Sequence, residues 1–301
     1  MNTRKFLSIC GVIGACTLSQ LSPVYASTAT PNTTAAHTVN QSRLLPLEGG
    51  SNFRDLGGYQ TTDHKTVRSG MLFRSGAMAN LTAKDEAYLN QYNFKTVVDL
   101  RSQEELDLFP NQWVKHNSDI NYVNYHYSIK DIQGSLKNKE VKSYGAGNFY
   151  LSIADRLQPQ LKLYFAELLQ EHTPLVVNCS AGQDRTGFAS AMLLSALGVP
   201  RDVIIEDYLL STQYRNPKNE MGSVDLKKAA KTNDFAKMML HYTDNGKVTE
   251  AKPLITQDGT PYISIAFAQI EEQYGTVENY LEQAIGVDQK DIAKLKSLYL
   301  Q

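Results

Sequence analysis

Residues 175–198, LVVNCSAGQDRTGFASAMLLSALG, constrain the fold of this chain more tightly than any other stretch. A short apolar run ends at Asn178, a polar loop containing Gly182 follows, and from Arg185 the sequence is apolar nearly all round until Gly198 and Pro200. The first part reads as a fully buried strand and the last as a buried helix stopped by its glycine. A strand and a helix that are both covered all round need neighbours on every side, which a sheet with helices on both faces supplies. The rest of the chain keeps the alternation. GMLFRSG, KTVVDLRS and INYVNYHY read as short strands. TAKDEAYLNQYN reads as a helix with Thr82 as its cap and Asp85 at the capping-box position. GNFYLSIADRLQPQLKLYFAELLQ carries a long amphipathic pattern. The expected fold is α/β: a three-layer α/β/α sandwich around a central, mostly parallel twisted sheet, with a helical insertion.

The ends of the chain read differently. Residues 1–26 place Arg4 and Lys5 ahead of the apolar run FLSICGVIGACTL and end in SPVYA, with small residues Val24 and Ala26 at a cleavage site. That run is too short to span a bilayer, and the order of charged, apolar and small residues is that of a signal peptide. Export to the periplasm or the medium is therefore expected, with lipid attachment at Cys16 as the alternative. Residues 27–42 form a Ser/Thr/Ala/Asn tract expected to be flexible, and the folded domain is expected over 43–301. Lys and Arg number 30 against 31 Asp and Glu, a net charge of −1, which gives no electrostatic reason to bind nucleic acid or a membrane. No membrane insertion is expected after cleavage.

Removing the leader removes Cys10 and Cys16 and leaves Cys179 as the single cysteine. An exported protein usually carries cysteines as paired disulfides, so a lone one is either a small buried hydrophobe or a reactive thiol. Its surroundings favour the second. The main-chain N–H groups of Ser180, Ala181, Gly182, Gln183 and Asp184 can curl into a nest at a helix N-terminus, a natural cradle for phosphate. Arg185, six residues after the cysteine, can close the ring with a planar fork matched to two phosphate oxygens. The same donors stabilise a thiolate at Cys179 over the thiol.

Cysteine, five residues, arginine and then Thr-Gly resembles the signature of the cysteine-dependent phosphatases. NCSAGQDRTG is most similar to the bacterial tyrosine phosphatase branch whose loop runs H-C-x-x-G-K-D-R-T-G. NFRDLGGY, LFRSG, VVDLRSQEE, DYLLS and YGTVENYLEQAIGV are similar to that branch too, so the resemblance spans roughly residues 44–300. It implies the cysteine-phosphatase fold and hydrolysis of phosphate monoesters, phosphotyrosine in proteins or peptides first, with phosphoserine, phosphothreonine or phosphoinositides as further substrates. Cys179 would attack phosphorus, Arg185 would hold the equatorial oxygens, and Thr186 could donate to the departing thiolate. Ser180, Ala181, Gly182, Gln183 and Asp184 would bind the phosphate. No metal or other cofactor is implied, and His64, His116, His126, His172 and His241 lack ligand spacing. Two residues depart from the branch: Asn178 replaces its histidine, and Gln183 replaces its lysine, which weighs against highly charged lipid headgroups.

The general acid is expected at Asp99, which closes a buried strand and matches the family's DLRS. Asp131 and Asp155 are rivals, and Asp184 could orient Arg185 or the water. Residues 215–260 are polar and lysine-rich, with a core of one or two amphipathic helices. They read equally as a lid over the site or as a solvated excursion. Two other functions compete. A decayed, non-catalytic phosphate-binding module would account for Asn178 and Gln183 but leave the retained cysteine without purpose. A sulfur-transfer loop would leave the Thr-Gly and the flanking stretches unexplained.

Overall fold

The computed structural model describes residues 43–133, 144–221, 223–242 and 250–301; the leader and the tract at 27–42 lie outside them. The sheet holds β1 (Arg54–Asp55), β2 (Leu72–Ser75), β3 (Thr96–Asp99), β4 (Asn121–Asn124) and β5 (Leu175–Asn178), in the order β1-β2-β5-β3-β4. Only the short β1 runs antiparallel, against β2; the pairs β2·β5, β5·β3 and β3·β4 are parallel. The register places Ser75 and Asp99 on either side of Asn178, so the three parallel strands end level, immediately before Cys179.

Alternation along each strand separates two cores. Leu72, Val98, Leu175 and Val177 belong to the larger one, and Phe73, Val97 and Val176 to the smaller. The smaller is closed by α1 (Ala83–Asn90) and by α3 (Gln112–His116), which brings in Trp113; α2 (Gln103–Leu108) lies between them in sequence. The expected cap is present: Thr82 Oγ1 accepts from Asp85 N at 3.1 Å, and Asp85 Oδ2 accepts from Thr82 N at 2.9 Å. After α4 (Ile129–Gln133), the long amphipathic pattern is broken into pieces. A 3-10 turn (Gly145–Leu151) is followed by α5 (Ile153–Arg156) and α6 (Gln158–Leu169). Pro159 in the first turn of α6 explains the last break, since it supplies no N–H to continue the preceding helix. The larger core is filled by α6, by α7 (Arg185–Leu197) with its left-handed cap at Gly198, and by α8 (Arg201–Leu209). Toward the C-terminus α13 (Tyr262–Tyr274), α14 (Val277–Tyr280) and α15 (Gln289–Tyr299) complete that layer.

The described part of the stretch at 215–260 is helical and partly buried; residues 222 and 243–249 lie outside the described residues. After α9 (Ser211–Tyr214) come α10 (Pro217–Met221), α11 (Leu226–Ala229) and α12 (Asp234–Tyr242). Leu226, Phe235 and Ala236 are buried in a third cluster with Phe109 and Ile129, beside α2 and α4. Asn233 Nδ2 donates to Glu104 O at 2.9 Å, and Lys130 pairs with Asp234 at 2.6 Å. Among the described residues no helix is long and apolar enough to cross a membrane.

Candidate active site

Cys179 follows β5 directly and is 2% exposed, at the edge where the parallel strands end. The chain must turn within residues 180–184 to start α7 at Arg185. Gly182 permits this: its φ is +64°, and a Cβ there would stand 2.5 Å from Gly76 N and Ser75 C. The loop's carbonyls are held by the scaffold around it. Ala77 N donates to Ser180 O at 2.9 Å, and Asn52 Nδ2 donates to Gly182 O at 2.8 Å. Arg74 Nη2 donates to the same Gly182 O at 2.7 Å. By contrast, no main-chain N–H from residue 180 to 186 donates to a protein acceptor among the described residues. A turn of unused donors at a helix N-terminus is suited to an anion.

Arg185 enters from the first turn of α7 and is gripped by a residue that the sequence reading passes over. Its Nη1 and Nη2 each reach a carboxylate oxygen of Glu105 at 2.6 Å. Nη1 also donates to Tyr127 Oη at 2.9 Å and to Leu100 O at 3.3 Å, and Ser180 Oγ donates to the same Glu105 carboxylate. These contacts consume Nη1 and one hydrogen of Nη2. Nε–H and the second Nη2 hydrogen remain, side by side on one edge of the guanidinium, matched to two phosphate oxygens. Burial would push the Glu105 carboxyl up, but the Arg185 charge and the hydrogen bonds from Arg185 and Ser180 outweigh it and bring it down to about 2. Burial likewise opposes the Arg185 charge, and Glu105 more than restores it, holding that group well above its usual range.

Asp99 is not placed to serve as the acid. Its carboxylate is fully buried against Arg101, with Nε at 2.8 Å from Oδ1 and Nη2 at 2.6 Å from Oδ2, and Tyr122 Oη donates to it at 3.0 Å. Arg101 Nη1 donates onward to Phe109 O at 2.6 Å, so the pair ties the end of β3 to the end of α2. A buried carboxyl engaged on both oxygens in this way has no edge left for a leaving group, and the acid role expected of it does not fit its place. Asp131 accepts from Ser128 N at 3.0 Å at the start of α4, and Asp155 is exposed on α5.

Asp184 is better placed, as the half-buried residue immediately before α7. Tyr150 Oη donates to its Oδ1 at 2.7 Å, and Tyr208 Oη donates to Tyr150 Oη at 2.7 Å. No arginine hydrogen-bonds to it among the described residues. Thr186 Oγ1 is buried without a hydrogen-bond partner, so the donation to Cys179 expected of it is not formed here. Gln183 Oε1 accepts from Arg215 Nη1 at 2.5 Å.

Behind the loop lies a second charged cluster, fully buried. Asp207 Oδ2 meets Arg74 Nη1 at 2.6 Å, its Oδ1 meets Arg54 Nε at 3.2 Å, and Tyr59 Oη donates to Oδ1 at 2.8 Å. Burial opposes the Asp207 charge, yet Arg54 and Arg74 hold its carboxyl well below the usual range. Arg54 itself is lowered to about 10, first by burial and then by Arg74. Two guanidinium groups face one carboxylate, which leaves a positive excess behind the loop. NFRDLGGY, LFRSG and DYLLS thereby acquire a physical meaning: Asn52, Arg54, Arg74 and Asp207 are the parts that fix the loop from behind.

The chain matches the model of the tyrosine phosphatase family over residues 45–301. It is 27% identical over 286 residues to the triple specificity protein phosphatase PtpB of Mycobacterium tuberculosis, covering 84% of this chain and 98% of that one. It is 26% identical over 235 residues to a tyrosine-protein phosphatase of Nostoc commune, covering 74% and 72%. Among solved structures, Pseudomonas aeruginosa TpbA bound to phosphotyrosine overlaps 60% of this chain and 91% of its own at 16% identity, with a TM-score of 0.28, too loose a likeness to argue from. With the family model matching residues 45–301, most of the chain, the chain belongs to the tyrosine phosphatase family and is a protein-tyrosine-phosphatase-type hydrolase.

Proposed function

We propose that the protein hydrolyses phosphotyrosine in proteins or peptides through a phosphocysteine on Cys179. The observation that carries this reading is the grip of Glu105 on the end of Arg185, which leaves the other edge of the guanidinium free beside a loop of unused N–H groups. The loop from Ser180 to Asp184 binds the phosphate oxygens, and Arg185 takes two of them as charge develops on the equatorial plane. Sγ of Cys179 attacks phosphorus while the bond to the tyrosine oxygen breaks. Asp184 gives that oxygen its proton and becomes a carboxylate. Water then attacks the phosphocysteine, Asp184 recovers a proton from it, the S–P bond breaks, and inorganic phosphate leaves with the thiolate restored.

An aryl ester is favoured by the aromatic surface beside Arg185. Tyr127 donates to Leu100 O at 2.6 Å while accepting from Arg185, and Tyr125, 42% exposed, stacks on its ring at 6.5 Å. A tyrosine ring can lie on such a wall where a serine side chain would be too short to use it. Phosphate release from a phosphotyrosine peptide in the presence of EDTA, compared between wild type and Cys179→Ser, tests the reading. Turnover abolished in the variant supports it; a wild type that binds vanadate and releases no phosphate refutes it. Residues 1–26 are proposed as a cleaved export signal, and a secreted form beginning elsewhere than Ser27 would refute that cleavage site.

A further inference from the structure

Gln183 puts a neutral side chain into the phosphate loop, but a cation reaches it from elsewhere in the chain. Arg215, just beyond α9, donates from Nη1 to Gln183 Oε1 at 2.5 Å. Its Nε and Nη2 donate to Glu220 at 2.9 Å and 2.7 Å. Glu220 is fixed in turn by Ser51 Oγ at 2.8 Å, and Ser51 Oγ accepts from Asn216 N at 2.9 Å. The guanidinium is therefore clamped along one edge and at one further hydrogen. One hydrogen on each of Nη1 and Nη2 is left without a protein acceptor among the described residues. The side chain is 12% exposed, and Glu220 outweighs the burial that opposes its charge. An ion pair that served only to pin α10 would have no need to reach into the loop.

We infer that Arg215 is a specificity-determining residue that binds a second anionic group of the substrate beside the phosphate held by the loop. The inference rests on the phosphotyrosine reading above, and the anion is an acidic or phosphorylated side chain next to the phosphotyrosine of a peptide. A peptide is favoured over an inositol polyphosphate because the Tyr125–Tyr127 wall suits an aryl group. Glu220 cancels the charge of Arg215 at long range, so the discrimination comes from short hydrogen bonds, made equally in the bound substrate and in the transition state. It is expected in KM, with kcat little changed between peptides.

The test measures KM and kcat for three phosphotyrosine peptides alike except for the neighbouring residue: alanine, glutamate or phosphoserine. In the wild type the two anionic peptides should show KM lower by about tenfold, the effect of a charged hydrogen bond discounted for partial exposure. In Arg215→Gln the ratio should fall to about one, and in Arg215→Lys part of it should return. Because Arg215→Gln leaves Glu220 buried without its partner, the ratio is also read in the Arg215→Gln/Glu220→Gln double variant, where no charge is stranded. Equal KM values in the wild type overturn the inference, as does a ratio that survives Arg215→Gln. Turnover of all three peptides without preference leaves the phosphatase reading standing, whereas turnover of none refutes that reading and the inference with it. A soluble inositol polyphosphate preferred over every peptide, and dependent on Arg215, would assign the second anion to a headgroup and overturn the peptide class.

Discussion

Glu105→Gln separates the two things asked of one carboxylate. In the folded protein Glu105 is fully buried, receives both Nη atoms of Arg185 at 2.6 Å, and keeps its charge down to about pH 2 against an ordinary value of 4.5. A difference of that size corresponds to about 3 kcal/mol. The cost of breaking a buried ion pair by removing one partner is of the same order, about 3–5 kcal/mol. Glutamine fits the space and can still accept from one Nη, but its own N–H₂ would then face the other, and Arg185 would lose the second contact that fixes its plane. The variant should therefore unfold at lower urea by about 3 kcal/mol at pH 6, and its kcat should fall about a hundredfold through misplacement of the guanidinium. The stability term has a definite pH window. The lowered carboxyl contributes fully above 4.5, and the contribution is lost as pH falls through 2. The stability gap between wild type and Glu105→Gln should thus be complete at pH 6 and clearly smaller at pH 3. Phosphotyrosine peptide turnover and urea titrations at both pH values measure these effects. A variant within threefold of wild-type kcat, or a gap that does not change with pH, would refute the assignment of Glu105 as the residue that positions Arg185.

The other carboxylates should part company under the same treatment. Asp184→Asn should fold normally and lose about a hundredfold in kcat on a phosphotyrosine peptide, with less loss on an aryl phosphate whose leaving group needs no proton. Asp99→Asn should instead cost about 3 kcal/mol in urea unfolding, by stranding Arg101, and should leave the dependence on leaving group intact. Asp207→Asn removes the one carboxylate between Arg54 and Arg74, and a loss of about 3 kcal/mol should lower Tm by roughly 6–12 °C in thermal unfolding. Gly182→Ala must move a Cβ away from Ser75 and Gly76 at a positive φ, so vanadate affinity should fall at least about tenfold, with about 2 kcal/mol lost from stability.

What could be read from the sequence was whatever short range controls. The strand LVVN, the turn at Gly182 and the helix to Gly198 follow from apolar runs and local backbone needs, and all stand where expected. The capping box at Thr82 and Asp85 is local as well. The role of Glu105 is not. Its spacing from Ser102 marks a capping box, and Ser102 N does donate to it at 2.9 Å, but its contact with Arg185 spans 80 residues. Nothing within a turn of Glu105 announces that contact. Asp99 fails for another reason: its partner Arg101 is only two residues on, but the spacing alone does not show that this side chain turns back onto the carboxylate. The helical pattern at 147–170 is also amphipathic overall, yet Pro159 marks a break in it.

Four carboxylate–arginine systems surround the loop, and their differences decide which arginines can meet a substrate. Asp99 encloses Arg101, whose remaining bond runs to Phe109 O, and the pair has no exposure. Asp207 lies between Arg54 and Arg74, where Gly182 O and Ser211 Oγ take what Arg74 has left at Nη2, again without exposure. Arg185 is held by the end of its fork, with 11% of its side chain open and its Nε edge unspent, and Arg215 is held along its Nε edge, with 12% open and one hydrogen left on each Nη. Arg101, held along its Nε edge with Nη1 spent on Phe109 O and no exposure, has no such pair to offer, although its charge is the same. Substrate binding here depends on which hydrogens a carboxylate leaves over, and for that reason exchanging Glu105 for the shorter aspartate should also cost activity. Glu105→Asp preserves the charge but shortens the reach, so kcat should drop by about tenfold or more while the acid-dependent stability largely persists. If Glu105→Asp matched wild type in kcat, charge alone would suffice and the edge argument would fail.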